Sequence, residues 1–190
     1  MRPVTLGGDA MATYAIPAQA YTPTARTLHW VTAALVLTII PAGIAMSYLE
    51  GPAQDTLFHI HRSLGVTLIP IILYRLFYRL THKPLPLPPD VEPMQRLVAE
   101  TVHWLLYALL VVQPIIGWIA TSAYRAPVLY FWTFELPPVW PENRAFSDQL
   151  FVVHKWLGFA IAALICAHIG GALFHYFIRK DGVLQRMING

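Results

Sequence analysis

Charge is what this 190-residue sequence has least of. Only 12% of its residues are Asp, Glu, Lys or Arg, about half of what water-soluble domains carry. Hydrophobic residues make up 56%, which excludes an ordinary solvated surface. Cysteine is almost missing: Cys166 stands alone. That excludes an intrachain disulfide, a zinc ribbon, a thioredoxin-type C-x-x-C pair and the C-x-x-C-H motif of covalent attachment, and it gives no reading of redox compartment. The 13 Lys and Arg against 10 Asp and Glu leave a net charge of +3, too small to point to nucleic acid. No repeat or low-complexity tract is present. Residues 1–25 hold no apolar run of the kind a cleavable signal peptide carries. They are expected to form a short flexible arm, with Met11 an alternative start to Met1.

Four stretches are apolar and long enough to cross a hydrocarbon core, which takes about 20 residues. They run over about 28–49, 57–80, 98–123 and 150–178. Pro41, Pro70 and Pro114 fall inside the first three, as membrane helices tolerate when neighbours satisfy the freed carbonyls. The proline-rich linker THKPLPLPPDVEP joins the second stretch to the third and cannot continue a helix. A long loop, about 124–149, joins the third to the fourth. It holds Tyr130, Phe131, Trp132, Phe134 and Trp140, aromatics suited to a lipid–water boundary. The fold class is therefore all-α, a transmembrane four-helix bundle. Arg2, Arg26, Arg75, Arg79, Lys83, Arg96, Arg179, Lys180 and Arg186 fall on one side of it, nine of the thirteen basic residues. Arg62, Arg125, Arg144 and Lys155 fall on the other. The positive-inside rule puts both termini, and the arm at 1–25, in the cytoplasm.

Eight histidines are many for so apolar a chain, and ionisable side chains at membrane depth are costly and usually functional. His154 and His168 lie fourteen residues apart on the fourth helix, hence on one face and roughly 21 Å apart along its axis. The first helix starts on the inner side with His29, at the depth of His168. The second starts on the outer side with His61, at the depth of His154. Two histidine pairs follow, one per leaflet. Zinc asks for four ligands, with sulfur or carboxylate company, whereas haem iron accepts two axial imidazoles and leaves the rest to apolar side chains. Two b-type haems are the cofactors expected, and polar bonding between helices is the competing reading. Gly65, Gly158 and Gly43 lie at helical spacings from these histidines and offer room for a porphyrin, or else serve ordinary small-residue packing. His59, nearly opposite His61, is expected at the surface, and His82 in the linker. His175 is a lesser alternative to His168. His103 opens the third helix and is read as a contact to a haem propionate or quinone, or as packing. Arg75, fourteen residues after His61, is read as a propionate partner or as snorkelling to headgroups.

Four stretches then resemble the bacterial cytochrome b561 family: R-x-x-H-W at 26–30, HIHRSLG at 59–65, HKWLGF at 154–159 and AHIGGALFHYFIRKDGVLQRM at 167–187. The resemblance covers 25–187 and makes 26–187 the cytochrome domain. It implies that His29 pairs with His168 and His61 with His154. His61 is chosen over His59 for its place in the I-H-x-S-x-G pattern. Relatives also have a histidine at the position of His103 without using it as an axial ligand. The resemblance implies electron transfer between a donor and the quinone pool of a bacterial inner membrane, with ubiquinone as substrate and lipid as surroundings. One branch takes its electron from superoxide at the periplasmic face, and a redox protein is the other donor class. The alternative is a cytochrome b anchor subunit of a hydrogenase- or dehydrogenase-type complex. No clear steering field for an anion is evident, since Glu50, Asp55, Glu135, Glu142 and Asp148 accompany the outer cations.

Overall fold

The computed structural model describes residues 20–188. Residues 1–19 of the arm expected over 1–25, and the choice between Met1 and Met11, lie outside the described residues, while residues 23–25 already belong to the first helix. Proline sets three of the helix starts, because its missing N–H and fixed φ suit the first helical position. Helix α1 (Pro23–Ala45) begins behind Thr22, whose hydroxyl accepts from the Ala25 N–H at 3.2 Å. Helix α2 (Pro52–Thr81) follows Gly51, which turns the chain at φ 65°. Helix α3 (Pro93–Tyr124) follows Glu92. Helix α4 (Arg144–Phe174) is capped by Asn143, whose side chain accepts from the Phe146 N–H at 3.0 Å. All four are long and apolar enough to span a membrane. Their outward faces suit lipid: Leu37, Phe77, Leu80, Val152 and Trp156 are among the exposed side chains. Each helix starts about five residues before its apolar run, because the polar first turns carry no hydropathy signal.

Helices α1 and α2 pack as one antiparallel pair, α3 and α4 as another, and α2 touches α3. The α3–α4 seam is lined with small residues that let backbones approach: Ala120, Thr121, Ser122, Ala123 and Ser147 are buried, and the Ser147 hydroxyl donates to the Ala120 carbonyl at 2.9 Å. Among the described residues, α4 has no comparably close backbone packing on α1 or α2. It stands across from them, with space between. At mid-height that space is closed by Val36, Leu68, Ile72, Leu110 and Ile161.

The loop between α3 and α4 is shorter and more ordered than its sequence suggests. It contains an antiparallel hairpin, β1 (Val128–Tyr130) and β2 (Phe134–Leu136), so the all-α bundle carries one small β element. At the hairpin tip Phe131 and Trp132 take φ of 44° and 57°, a left-handed conformation that turn sequences normally reserve for Asn and Gly. Fully buried Ser63 holds that tip to α2. Its hydroxyl accepts from the Phe131 N–H at 2.9 Å and lies 3.3 Å from the Leu129 carbonyl. At the opposite end, α4 passes into a single π-helical turn (His175–Arg179), and Lys180 and Gly182 reverse the chain at positive φ. The last helix, α5 (Gln185–Ile188), docks on the start of α1, with the Trp30 indole N–H donating to the Met187 carbonyl at 3.1 Å.

Candidate redox sites

The four spanning helices bring the histidines together in pairs. His29 of α1 meets His168 of α4 with ring centres 6.0 Å apart, at the end of the bundle where the described chain begins and ends, called the terminal end. His61 of α2 meets His154 of α4, also at 6.0 Å, at the hairpin end. Both pairs bridge the space between α4 and the α1–α2 pair. The mid-height layer separates them: Val36, Leu68 and Ile161 each lie seven residues, two turns, along a helix from one of these histidines. Helix α4 is continuous through both sites, so its two histidines stand roughly 21 Å apart along the axis.

At the hairpin end the rings are fixed by backbone. The His61 Nδ1–H donates to the Ile39 carbonyl at 3.0 Å. A Cβ added to Gly43 would meet His61 Cε1 at 2.8 Å, and one added to Gly117 would meet His154 Cε1 at 2.9 Å. Each imidazole thus rests against a bare Cα on the neighbouring helix. Gln113 donates to the His154 carbonyl at 2.7 Å, tying α3 to α4 at that turn. Gly158 lies beside this glutamine: its added Cβ would be in ordinary contact with Gln113 Nε2, at 3.4 Å. The space at Gly43 is taken by the His61 ring, while open space borders Gly65. Gly117 and Gln113 carry no spacing signal in the sequence. Their partner lies on another helix.

At the terminal end Arg75 donates to His29 Nδ1 at 2.7 Å, and its guanidinium lies over the Tyr107 ring at 5.3 Å. It turns inward to the histidine rather than out to the membrane surface. The His103 Nδ1–H donates to the Ala99 carbonyl at 2.6 Å, and its ring stands edge-on to His168 at 5.0 Å. Three other histidines fall outside the pairs. His59 is not at the surface as expected: it is half-buried, with Nδ1 shielded and unpartnered and the ring 5.6 Å from Trp132, because the hairpin folds over it. His82 is exposed and stacked on Tyr78. His175 does not replace His168. It donates to Asp181 at 2.6 Å in the tail.

Two imidazoles on one metal, with nitrogen bonds of about 2 Å, have ring centres roughly 6 Å apart, which is the separation in both pairs. Among the described residues no group of three or more His, Cys, Asp or Glu side chains converges as a metal cage, so a bare ion would find too few ligands. Haem supplies its own equatorial nitrogens and asks the protein only for axial ones. The two imidazole couples and the space between α4 and the α1–α2 pair fit that group.

Comparison with known proteins agrees. Cytochrome b561 homolog 2 of Escherichia coli (strain K12) is 31% identical over 163 residues, covering 84% of this chain and 86% of the relative. A protein of Yersinia pestis named "Probable superoxide oxidase CybB" is 27% identical, covering 85% and 91%. Cytochrome b561 homolog 1 of the same E. coli strain is 27% identical, covering 85% and 92%. With residues 20–190 matching the family described as prokaryotic cytochrome b561, the chain belongs to that family of membrane electron-transfer proteins, for which b-type haem is the implied cofactor.

Proposed function

We propose that the chain holds two b haems, one between His29 and His168 and one between His61 and His154, and passes electrons from superoxide to ubiquinone. The carrying observation is the pair of imidazole couples, each 6.0 Å between ring centres, at opposite ends of one bundle. The Yersinia pestis relative's name supports the choice of donor. Bound haem supplies reversible one-electron exchange. In the overall reaction two superoxide anions give up one electron each and leave as dioxygen. One quinone takes both electrons and two protons to become the quinol.

The chain's own part is placement and exclusion. Gly43 and Gly117 set how deeply the hairpin-end imidazoles seat, and the Ile39 carbonyl fixes the proton on His61 Nδ1. Val36, Leu68, Ile72, Leu110 and Ile161 form an apolar layer between the two sites that keeps water, and with it protons, from following the electron. The excess of basic residues at the terminal end supports an orientation with both termini cytoplasmic in a bacterial inner membrane, leaving the hairpin end to the periplasm. In stopped-flow mixing, superoxide should reduce the purified cytochrome, and added ubiquinone should reoxidise it. A cytochrome that superoxide leaves oxidised, and that co-purifies with a hydrogenase or dehydrogenase subunit, would favour the anchor reading instead.

A further inference from the structure

His175 is the one histidine that meets a carboxylate among the described residues. It follows His168 by seven residues on the same face of the chain, two turns or roughly 10 Å further toward the terminal end. The chain is bent to make the pair. Beyond the π-helical turn Lys180 takes φ 54° and Gly182 φ 79°, so Asp181 folds back under the helix. A left-handed residue other than glycine is strained and persists only where contacts hold it. Here the His175 Nδ1–H donates to Asp181 Oδ2 at 2.6 Å.

The surroundings give the two groups different tasks. Burial would raise the Asp181 carboxyl, but bonds from His175, the Val183 N–H at 3.2 Å and Arg179 at 3.0 Å hold it below its ordinary value. It therefore stays a carboxylate at neutral pH and takes no proton itself. A fixed carboxylate on Nδ1 sets the imidazole tautomer and leaves Nε2 to gain and lose a proton. Side-chain exposures of 13% for His175 and 9% for Asp181 shield the pair without sealing it from water. The remaining charged group of the cluster is Asp90 of the α2–α3 linker, which is open to water and takes Arg179 at 2.6 Å. His103 has no such partner, since its Nδ1–H goes to the Ala99 carbonyl.

A quinone needs two protons with its two electrons, and the apolar layer at mid-height keeps protons from arriving with electrons from the hairpin end. Resting on the superoxide-to-quinone reading above, we infer that His175, oriented by Asp181, hands cytoplasmic protons to the quinone. Each transfer breaks the His175 Nε2–H bond and forms an O–H bond on the quinone, and water then reprotonates the ring. Two such transfers, with one electron from each of two superoxide anions, complete the quinol.

Stopped-flow mixing of the purified cytochrome separates the two half-reactions. His175→Asn removes the proton-carrying nitrogen but keeps an N–H donor for Asp181, so the tail should stay docked, with hydrogen exchange in α5 unchanged. Superoxide should reduce the variant's haems at the wild-type rate. Reoxidation by ubiquinone should be slower by about a hundredfold, and added imidazole should restore part of it. Wild-type reoxidation should slow in heavy water and as pH rises. Reoxidation at wild-type speed in His175→Asn, or a loss that imidazole leaves untouched, would overturn the inference. Should the variant lose its haem or its docked tail, the wild type decides: reoxidation slowed by heavy water and rising pH supports the inference, and reoxidation indifferent to both overturns it. A wild type that superoxide leaves oxidised, or that ubiquinone leaves reduced, would instead bring down the superoxide-to-quinone reading itself.

Discussion

The imidazole of His61 rests on the bare Cα of Gly43, so closely that an added Cβ would stand 2.8 Å from its Cε1. Real Cβ atoms do not approach that near, and the contact is a ring held by the Ile39 carbonyl rather than a flexible chain end. The glycine therefore fixes where the ring sits. Gly43→Val should push His61 off its axis and cost the hairpin-end haem. About half of the wild-type haem per chain should remain, read by pyridine haemochrome. Gly117→Val should do the same through His154, whose Cε1 lies 2.9 Å from the added Cβ. Retention of full haem in both would show that neither glycine positions a ligand.

Ser63 is the second such point, and its effect should be on the hairpin alone. Its hydroxyl holds both sides of a tip whose two aromatic residues sit at positive φ. Such strain persists only where surrounding contacts over-determine it. Ser63→Ala removes those contacts from a fully buried position, at a cost of about 1–3 kcal/mol. Trypsin should then cut faster at Arg125, while haem content stays at the wild-type level. Unchanged cleavage would mean that the hairpin is held by its aromatic packing instead.

The histidine pairing was legible in the sequence because helix direction and a fourteen-residue spacing put His29 level with His168 and His61 level with His154 before any fold was known. Their supports were not. Gly117 and Gln113 act across a helix–helix seam, where no periodicity within one segment betrays them. Gly158 reads from its spacing as porphyrin room or as packing, and its contact is with Gln113, on another helix. The hairpin hid behind Phe131 and Trp132, which replace the small turn residues that normally announce one. His59 reads as exposed for the same reason, since it is the hairpin that covers it.

The tail latch should respond to acid. Burial alone would raise the Asp181 carboxyl, but hydrogen bonds from His175, the Val183 N–H and Arg179 outweigh it and hold the group below its ordinary value of 3.8. A depressed carboxylate contributes stability that is complete above that value and lost as pH falls through the lower folded value. Asp181→Asn removes the charge that His175 and Arg179 share, a loss of about 1 kcal/mol. Amides of α5 should exchange about fivefold faster at neutral pH, and the acid-dependent step of the wild-type tail should vanish. A tail that exchanges alike in both proteins across this range would contradict the latch.

The most direct measurement is haem stoichiometry in the wild type and in four single variants, His29→Ala, His61→Ala, His154→Ala and His168→Ala. The account predicts two haems per chain in the wild type and one in each variant. The same centre should be missing from His29→Ala and His168→Ala, and the other from His61→Ala and His154→Ala. A wild type holding fewer than two haems, or variants whose losses group in any other way, would contradict it.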